Sequence, residues 1–384
     1  MGIKFSIIIP ATRPECVNFA IESAINQNFK KNEYEIILID NSLSGLKKII
    51  PLEYLKNIKY FKTTKYLTVE KNWEFGFSKA KGFWQLMLCD DDIIDLDCLR
   101  TLDKKITYHK NCDCFLWNYG FYKFNAIERK NVSISLPLES KNDYVIDSEF
   151  YLKKLFQLGN GLSSKVKPFI PFVPRSVYSK SLIERIKKKN GTLMMQPDPM
   201  VGTGILALIF AKKIIKINKN LTVISTHIKN SAANHINNSS TLEKMMKNFE
   251  FKYIPIKTVR FFPSLSSEVL LILQIKFNLS QYKFNISRYF CDCFFQLQEF
   301  KNNKKDYKRF KRKFLLEINK LSFQDYFLYI IYKFEKILMP YLNIVISKFN
   351  KKKFNVNNFF KFENEEISIY NLKKEIFKNK DGIS

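Results

Sequence analysis

The run Gly82-Phe83-Trp84-Gln85-Leu86-Met87-Leu88-Cys89 is mostly apolar and ends in Asp90-Asp91-Asp92. A segment of that length reads as a buried strand. Three consecutive carboxylates at its end cannot lie unpaired in a core, because burying an unpaired charge is too costly. They must face water, a cation or a metal. In an open α/β sheet the carboxyl ends of parallel strands are where ligands bind. Two acids spaced i, i+2 can share one hard divalent ion, which then holds the oxygens of a diphosphate. A solvated strand end or an acid-rich helix start looks the same locally, so the rest of the chain has to decide.

Upstream, Phe5-Ser6-Ile7-Ile8-Ile9-Pro10 is a short β-rich run stopped by proline, followed by a loop over Ala11-Thr12-Arg13. Pro14 suits a first helical turn, and Val17, Ala20, Ile21, Ala24 and Ile25 share one helical face. The spacing predicts a helix from Pro14 to Gln27. Tyr34–Ile39 is a second strand ending at Asp40-Asn41, and Ile58–Lys62 a third. Strand, helix, strand with apolar runs requires a crossover and therefore a parallel sheet. Val69–Ala80 has helical spacing closed by Gly82. Helices are expected over 95–109, 147–158, 176–188 and 201–212. Further strands are expected at 114–119, at Phe169-Ile170 and over 214–224, with a hairpin or loop region over 120–145.

Composition narrows the class. The chain has 384 residues, 46% of them hydrophobic, enough for two domains and a substantial core. Its net charge of +28 implies anionic partners, namely nucleotides, nucleic acid or lipid headgroups. Seven cysteines without a regular pattern fit a reducing compartment, and the pairs Cys112/Cys114 and Cys291/Cys293 read as core thiols rather than zinc ligands. No secretory leader and no membrane-spanning run is expected. A boundary falls near residue 240, dividing the chain into 1–240 and 241–384. Beyond it the texture becomes long, Phe/Tyr/Lys-rich and helical, with the densest basic stretch at 304–313. That region reads either as a helical bundle with a solvated basic face or as a surface for anionic membrane.

Ser6–Pro14, Ala24–Phe29, Glu35–Ser42, Lys71-Asn72-Trp73 with Ala80-Lys81-Gly82, and Asp90–Asp92, in this order and spacing, resemble the inverting family 2 glycosyltransferases of GT-A fold. The resemblance is clear over residues 4–105, extends to about 235 and is absent beyond. It implies an α/β, Rossmann-like GT-A domain, with a mostly parallel central sheet flanked by helices, and a mainly helical C-terminal region. It also implies that Pro10, Ala11, Thr12 and Arg13 line the nucleotide, that Asp40 and Asn41 contact the base, and that Lys71 stands near the diphosphate. The family commonly has two acids where this chain has Asp40-Asn41, which leaves the base identity open. Asp90 and Asp92 match the ends of the family's D-x-D motif. By that resemblance Asp92 would bind the metal directly, Asp90 and Asp91 would contact metal, ribose or sugar, and the ion would be Mn2+ or Mg2+.

Inverting transfer needs a general base opposite the leaving group. Asp198, set between Pro197 and Pro199 before an apolar helix, matches the family's place for it. The alternative is an ordinary helix N-cap. His227 or His235 would add a metal or phosphate contact. The resemblance thus implies a cytoplasmic, metal-dependent glycosyltransferase, associated at the periphery with the inner face of the membrane. It would take a nucleoside diphosphate sugar, UDP-linked, to a hydroxyl of a glycan or lipid-linked acceptor such as a capsule or lipooligosaccharide precursor. The competing readings are a basic nucleic-acid-binding protein and an inactive GT-A scaffold. The basic run at 304–313 lacks any recognisable binding module, so no nucleic-acid partner is expected.

Overall fold

The computed structural model describes residues 2–14, 16–123, 132–140, 142–157, 169–225, 249–257, 261–349 and 357–362. In chain order its elements are β1 (Phe5–Ala11), α1 (Val17–Ile25), β2 (Tyr34–Asp40), α2 (Leu52–Leu55), β3 (Lys59–Lys62), α3 (Val69–Lys79), β4 (Trp84–Met87), β5 (Ile93–Ile94), α4 (Cys98–Tyr108), β6 (Cys114–Lys123), β7 (Val132–Pro137), β8 (Tyr144–Val145) and α5 (Ser148–Gln157). There follow β9 (Ser176–Ser179), α6 (Lys180–Asn190), α7 (Pro199–Phe210), β10 (Ile214–Ser225), α8 (Phe262–Lys276), α9 (Ile286–Glu299), α10 (Lys304–Ile318), α11 (Phe323–Phe349) and β11 (Asn357–Phe362).

The strands form one sheet in the order β11-β7-β6-β9-β4-β1-β2-β3, with β10 also paired to β6. Strands β3, β2, β1 and β4 are mutually parallel. Because β9 runs antiparallel to both β4 and β6, and β10 parallel to β6, all of β1–β4, β6 and β10 point the same way. This is the expected α/β architecture: a mixed, mainly parallel sheet between helices, followed by a helical C-terminal region. The period of two is visible along β1. Ile8 packs with Phe77 and Met87 on one face, whereas Ile7 and Ile9 pack with Val17 and Ile21 on the other. Gly82 precedes β4 where a Cβ would lie 2.6 Å from the Ser6 backbone nitrogen, so only glycine lets β4 close on β1.

Two expectations are corrected. Ser176–Ser179 is a strand, not the start of the basic helix: Val177 and Tyr178 are buried between β4 and β6, and the Ser179 hydroxyl caps α6 by accepting from the Leu182 amide. Phe169-Ile170 is not a strand. It leads instead into a 3-10 turn at Val173–Arg175. The 120–145 region does contain a hairpin, β6 against β7.

The boundary expected near 240 lies outside the described residues. Beyond it, α8 packs into the core of the sheet domain, where Val269, Leu270 and Leu273 join Val201 and Ile205 of α7. Glu268 of α8 is fully buried and accepts hydrogen bonds from the amides of Lys252, Tyr253 and Ile254, so it fixes the strap leading into the helix. A separate aromatic core joins α8 to α11, with Phe261, Tyr289, Phe290, Phe310 and Phe314 among its members.

Candidate active site

The parallel strands β1 and β4 end side by side, and the loop after β1 folds over the acids after β4. One Asp90 oxygen accepts from the Thr12 amide at 2.8 Å and the Arg13 amide at 3.0 Å. The other accepts from Arg13 Nε at 3.0 Å and from Arg13 Nη2. Arg13 Nη1 reaches Asp91 Oδ2 at 2.7 Å. Asp90 and Asp91 therefore do face a cation, but a protein cation, and all three carboxylates are buried rather than solvated. Asp90 is the acid that ties the two strand ends together. Its lone pairs are occupied in holding the Thr12-Arg13 loop and the guanidinium, and it stands outside the group of potential metal ligands.

That group is Cys89, Asp91 and Asp92, whose ligand atoms lie within 4.8 Å of one another, a separation one ion can bridge. Two carboxylates suit Mn2+ or Mg2+, and the thiol favours the softer manganese. Asp92 Oδ1 accepts from the Ser225 amide at the end of β10, at 3.1 Å. Burial, with Asp91 alongside, pushes the Asp92 carboxyl well above the usual range. Burial also raises Asp91, against the pull of Arg13. For Arg13 itself burial acts downward, but Asp90 and Asp91 outweigh it and raise the guanidinium further. The trio is thus short of positive charge, a condition that a divalent ion relieves.

Asp40 and Asn41 end β2, beside Ala11, and both are buried. Asp40 accepts from the Ser42 amide at 2.9 Å, the Ser42 hydroxyl at 2.6 Å, the Leu46 amide at 2.7 Å, Lys62 Nζ at 3.2 Å and the Tyr60 hydroxyl. Burial works to raise its pKa, but these hydrogen bonds prevail and hold it down at about 2. The Asn41 side chain donates to the Leu67 carbonyl and accepts from the Leu67 amide and the Thr63 hydroxyl. Both side chains shape the loops that follow β2 and β3. Lys71 is exposed on α3, next to the buried Asn72.

Asp198 is buried at the head of α7, after a cis Gln196-Pro197 bond. It caps the helix, Oδ1 accepting from the Val201 amide at 3.1 Å, while Oδ2 accepts from the Ser266 hydroxyl of α8 at 3.0 Å. The N-cap geometry is therefore realised. The loop carrying Asp198 hangs from α3: Glu74 Oε2 accepts from the Thr192 hydroxyl and the amides of Leu193 and Met194, and Gln196 donates to Glu70. His227 and His235 lie outside the described residues.

Several functional supports escaped the sequence reading. Gln27 donates to the Asp95 carbonyl and accepts from the Leu99 amide, clamping the segment that leaves the three acids. It lies inside the Ala24–Phe29 stretch, where its amide shows no period that would mark it. Glu74, Ser225 and Ser266 carried no signal, because their partners are remote in sequence. Arg175 and Lys216 are buried cations. The Arg175 guanidinium lies 4.6 Å from the Tyr119 ring centre and 4.5 Å from that of Phe172. Lys216 donates to Asn118, and burial, with Arg175 nearby, lowers its pKa to about 8.

Residues 6–186 match the family model described as Glycosyl transferase family 2. In sequence, no curated protein matches the chain. In structure it is similar to S. aureus TarS 1-349 in complex with UDP-GlcNAc, at 15% identity and a TM-score of 0.44, covering 77% of this chain and 81% of that one. It is also similar to S. aureus TarS 1-349, at 14% identity and a TM-score of 0.45, covering 87% and 91%.

Proposed function

Because residues 6–186 match the glycosyl transferase family 2 model, we propose that the chain transfers a sugar from a nucleoside diphosphate donor, UDP-linked, to a hydroxyl of a glycan or lipid-linked acceptor, with inversion. The observation that carries the reading is the seating of Arg13 on Asp90 and Asp91 where β1 and β4 end, with Asp92 and Cys89 beside them. Such a strand-end site supports a diphosphate ligand.

Asp91, Asp92 and Cys89 would hold Mn2+ or Mg2+. When bound, the ion neutralises charge that develops on the departing nucleoside diphosphate. Asp90 positions the Thr12-Arg13 loop, and the Arg13 guanidinium offers its N–H groups to phosphate oxygens. Pro10 and Ala11 bring that loop to the strand end, and Asp40 and Asn41 keep the neighbouring loops in shape for the base. Lys71 supplies further positive charge on the diphosphate side. Asp198 takes the proton of the acceptor hydroxyl as its oxygen attacks the anomeric carbon and the carbon–diphosphate bond breaks. Ser266 and the Val201 amide hold that carboxylate in one orientation.

The reaction would take place in the cytoplasm, with the acceptor presented at the inner face of the membrane. Calorimetric titration with UDP, GDP, CDP and TDP, each with and without manganese, tests the proposal. One nucleotide should bind, and chelation should abolish its binding. Failure of all of them with metal present would refute it.

A further inference from the structure

The C-terminal helices carry an outward face that the catalytic reading leaves unused. In α11, Tyr329 is buried and Lys333 lies 4.1 Å from the Phe294 ring centre, so this side is the one packed on α9. On the opposite side stand Phe323, Phe327, Ile331, Phe334 and Leu338, all exposed, with Phe323 at 88% and Phe334 at 60%. At 100° per residue these five fall within an arc of about 80°, and they run for roughly 22 Å along the helix. A contiguous apolar stripe of that size on a water-facing surface marks an interaction site.

Helix α10, which like α11 packs on α9, is built the same way. It buries Phe310, Phe314 and Ile318, and turns Lys308, Lys311, Arg312, Leu315 and Leu316 outward around one shallow depression. Apolar tips and basic groups are thus interleaved on one helix face, as an anionic lipid interface requires. There the rings and leucines enter the acyl boundary while the ammonium and guanidinium groups stay among the phosphates.

We propose that the outward faces of α10 and α11 dock on an anionic lipid bilayer, lying along it. This deepens the proposed function by placing the enzyme where a lipid-linked acceptor is presented, and it rests on that reading for its purpose only. Charge decides for lipid over a second copy. A twofold contact would press the Lys308, Lys311 and Arg312 face of one chain against its own duplicate, within a chain already at +28. Among the described residues no helix is long and apolar enough to cross a membrane, which fits docking along the surface.

The test is co-sedimentation of the full chain with phosphatidylcholine vesicles, with and without phosphatidylglycerol. Binding should require phosphatidylglycerol and weaken with salt. It should drop by about tenfold or more in Phe327→Ser/Phe334→Ser and in Lys308→Glu/Lys311→Glu/Arg312→Glu. Both sets of side chains are exposed, so circular dichroism and nucleotide binding should be unchanged. Equal binding to neutral vesicles, or binding to neither, overturns the proposal. So does a dimer that dissociates in Phe327→Ser/Phe334→Ser while vesicle affinity is absent, since it makes the stripe a self-contact. Vesicle binding without any nucleotide binding would sink the catalytic reading and leave the surface standing.

Discussion

Replacing Arg13 with alanine should destabilise the metal-free protein and make it more responsive to manganese. The guanidinium contacts both Asp90 and Asp91, whose side chains are only 4% and 5% exposed. Removing one partner of a buried ion pair costs about 3–5 kcal/mol. Part of that is offset, because Asp90 keeps two main-chain N–H donors that satisfy one of its charged oxygens. Arg13 is itself 22% exposed, which weakens the pair further. The net expectation is a loss of about 2–4 kcal/mol without metal. A divalent ion restores part of the missing positive charge, so saturating manganese should shrink the deficit by about 1.4 kcal/mol, the linkage free energy of a tenfold tighter site. The variant should also bind manganese about tenfold more tightly than the parent chain, since a like charge has been removed from the site. Urea unfolding followed by tryptophan fluorescence is well placed to see this, because Trp73, Trp84 and Trp117 all lie in the sheet domain. Unchanged stability without metal, or an equal gain from manganese in both proteins, would refute the view that Arg13 stands in for a cation.

Asp92→Asn should abolish manganese-dependent nucleotide binding with the circular dichroism spectrum intact; normal turnover in that variant would remove Asp92 from the metal site. Asp198→Asn should leave nucleotide affinity within a few-fold and lower transfer by about 10²–10⁴, and transfer close to that of the parent chain would place the base elsewhere. Asp40 has a folded pKa of about 2, below its unfolded value. The stability it supplies is therefore complete above about pH 4 and is lost as pH falls toward 2. In Asp40→Asn that part of the acid limb should vanish from the melting temperature plotted against pH, whereas an unaltered limb would mean that Asp40 contributes no acid sensitivity.

What was legible in the sequence is what repeats locally. The apolar runs of β1, β2 and β4, the helical faces between them and the acids after β4 could all be read from spacing, because burial leaves a period of two or 3.6 residues. Strand β9 was hidden for a physical reason. Ser179 ends the strand and caps the following helix, so strand and helix join without a turn residue between them. Tertiary pairing leaves no period. That Arg13 belongs to Asp90, Tyr60 to Asp40 and Glu74 to the amides of 193–194 follows only once the chain is folded, since each pair is separated by an intervening element. Asp40 and Asn41 illustrate the consequence: their position at the end of β2 was readable, while the loop partners on which their atoms are spent were not. The C-terminal helices could be anticipated as amphipathic, yet nothing local announced that α8 enters the sheet domain's core and brings Ser266 to Asp198.

Helix α3 follows directly on the loop that Asn41 fastens, and it carries the two glutamates that suspend the Asp198 loop. Its flat seat on the sheet leaves no slack, for a Cβ at Gly76 would come within 2.6 Å of Ile8. A single residue inserted in this helix between the loop and Glu74 would rotate one end against the other by about 100°, and the 193–194 amides would lose their acceptor. Length changes are therefore barred from α3. Insertions and deletions would be tolerated only in segments that this helix does not anchor, so α3 works as a fixed-length spacer between the loop after β2 and the loop that carries Asp198.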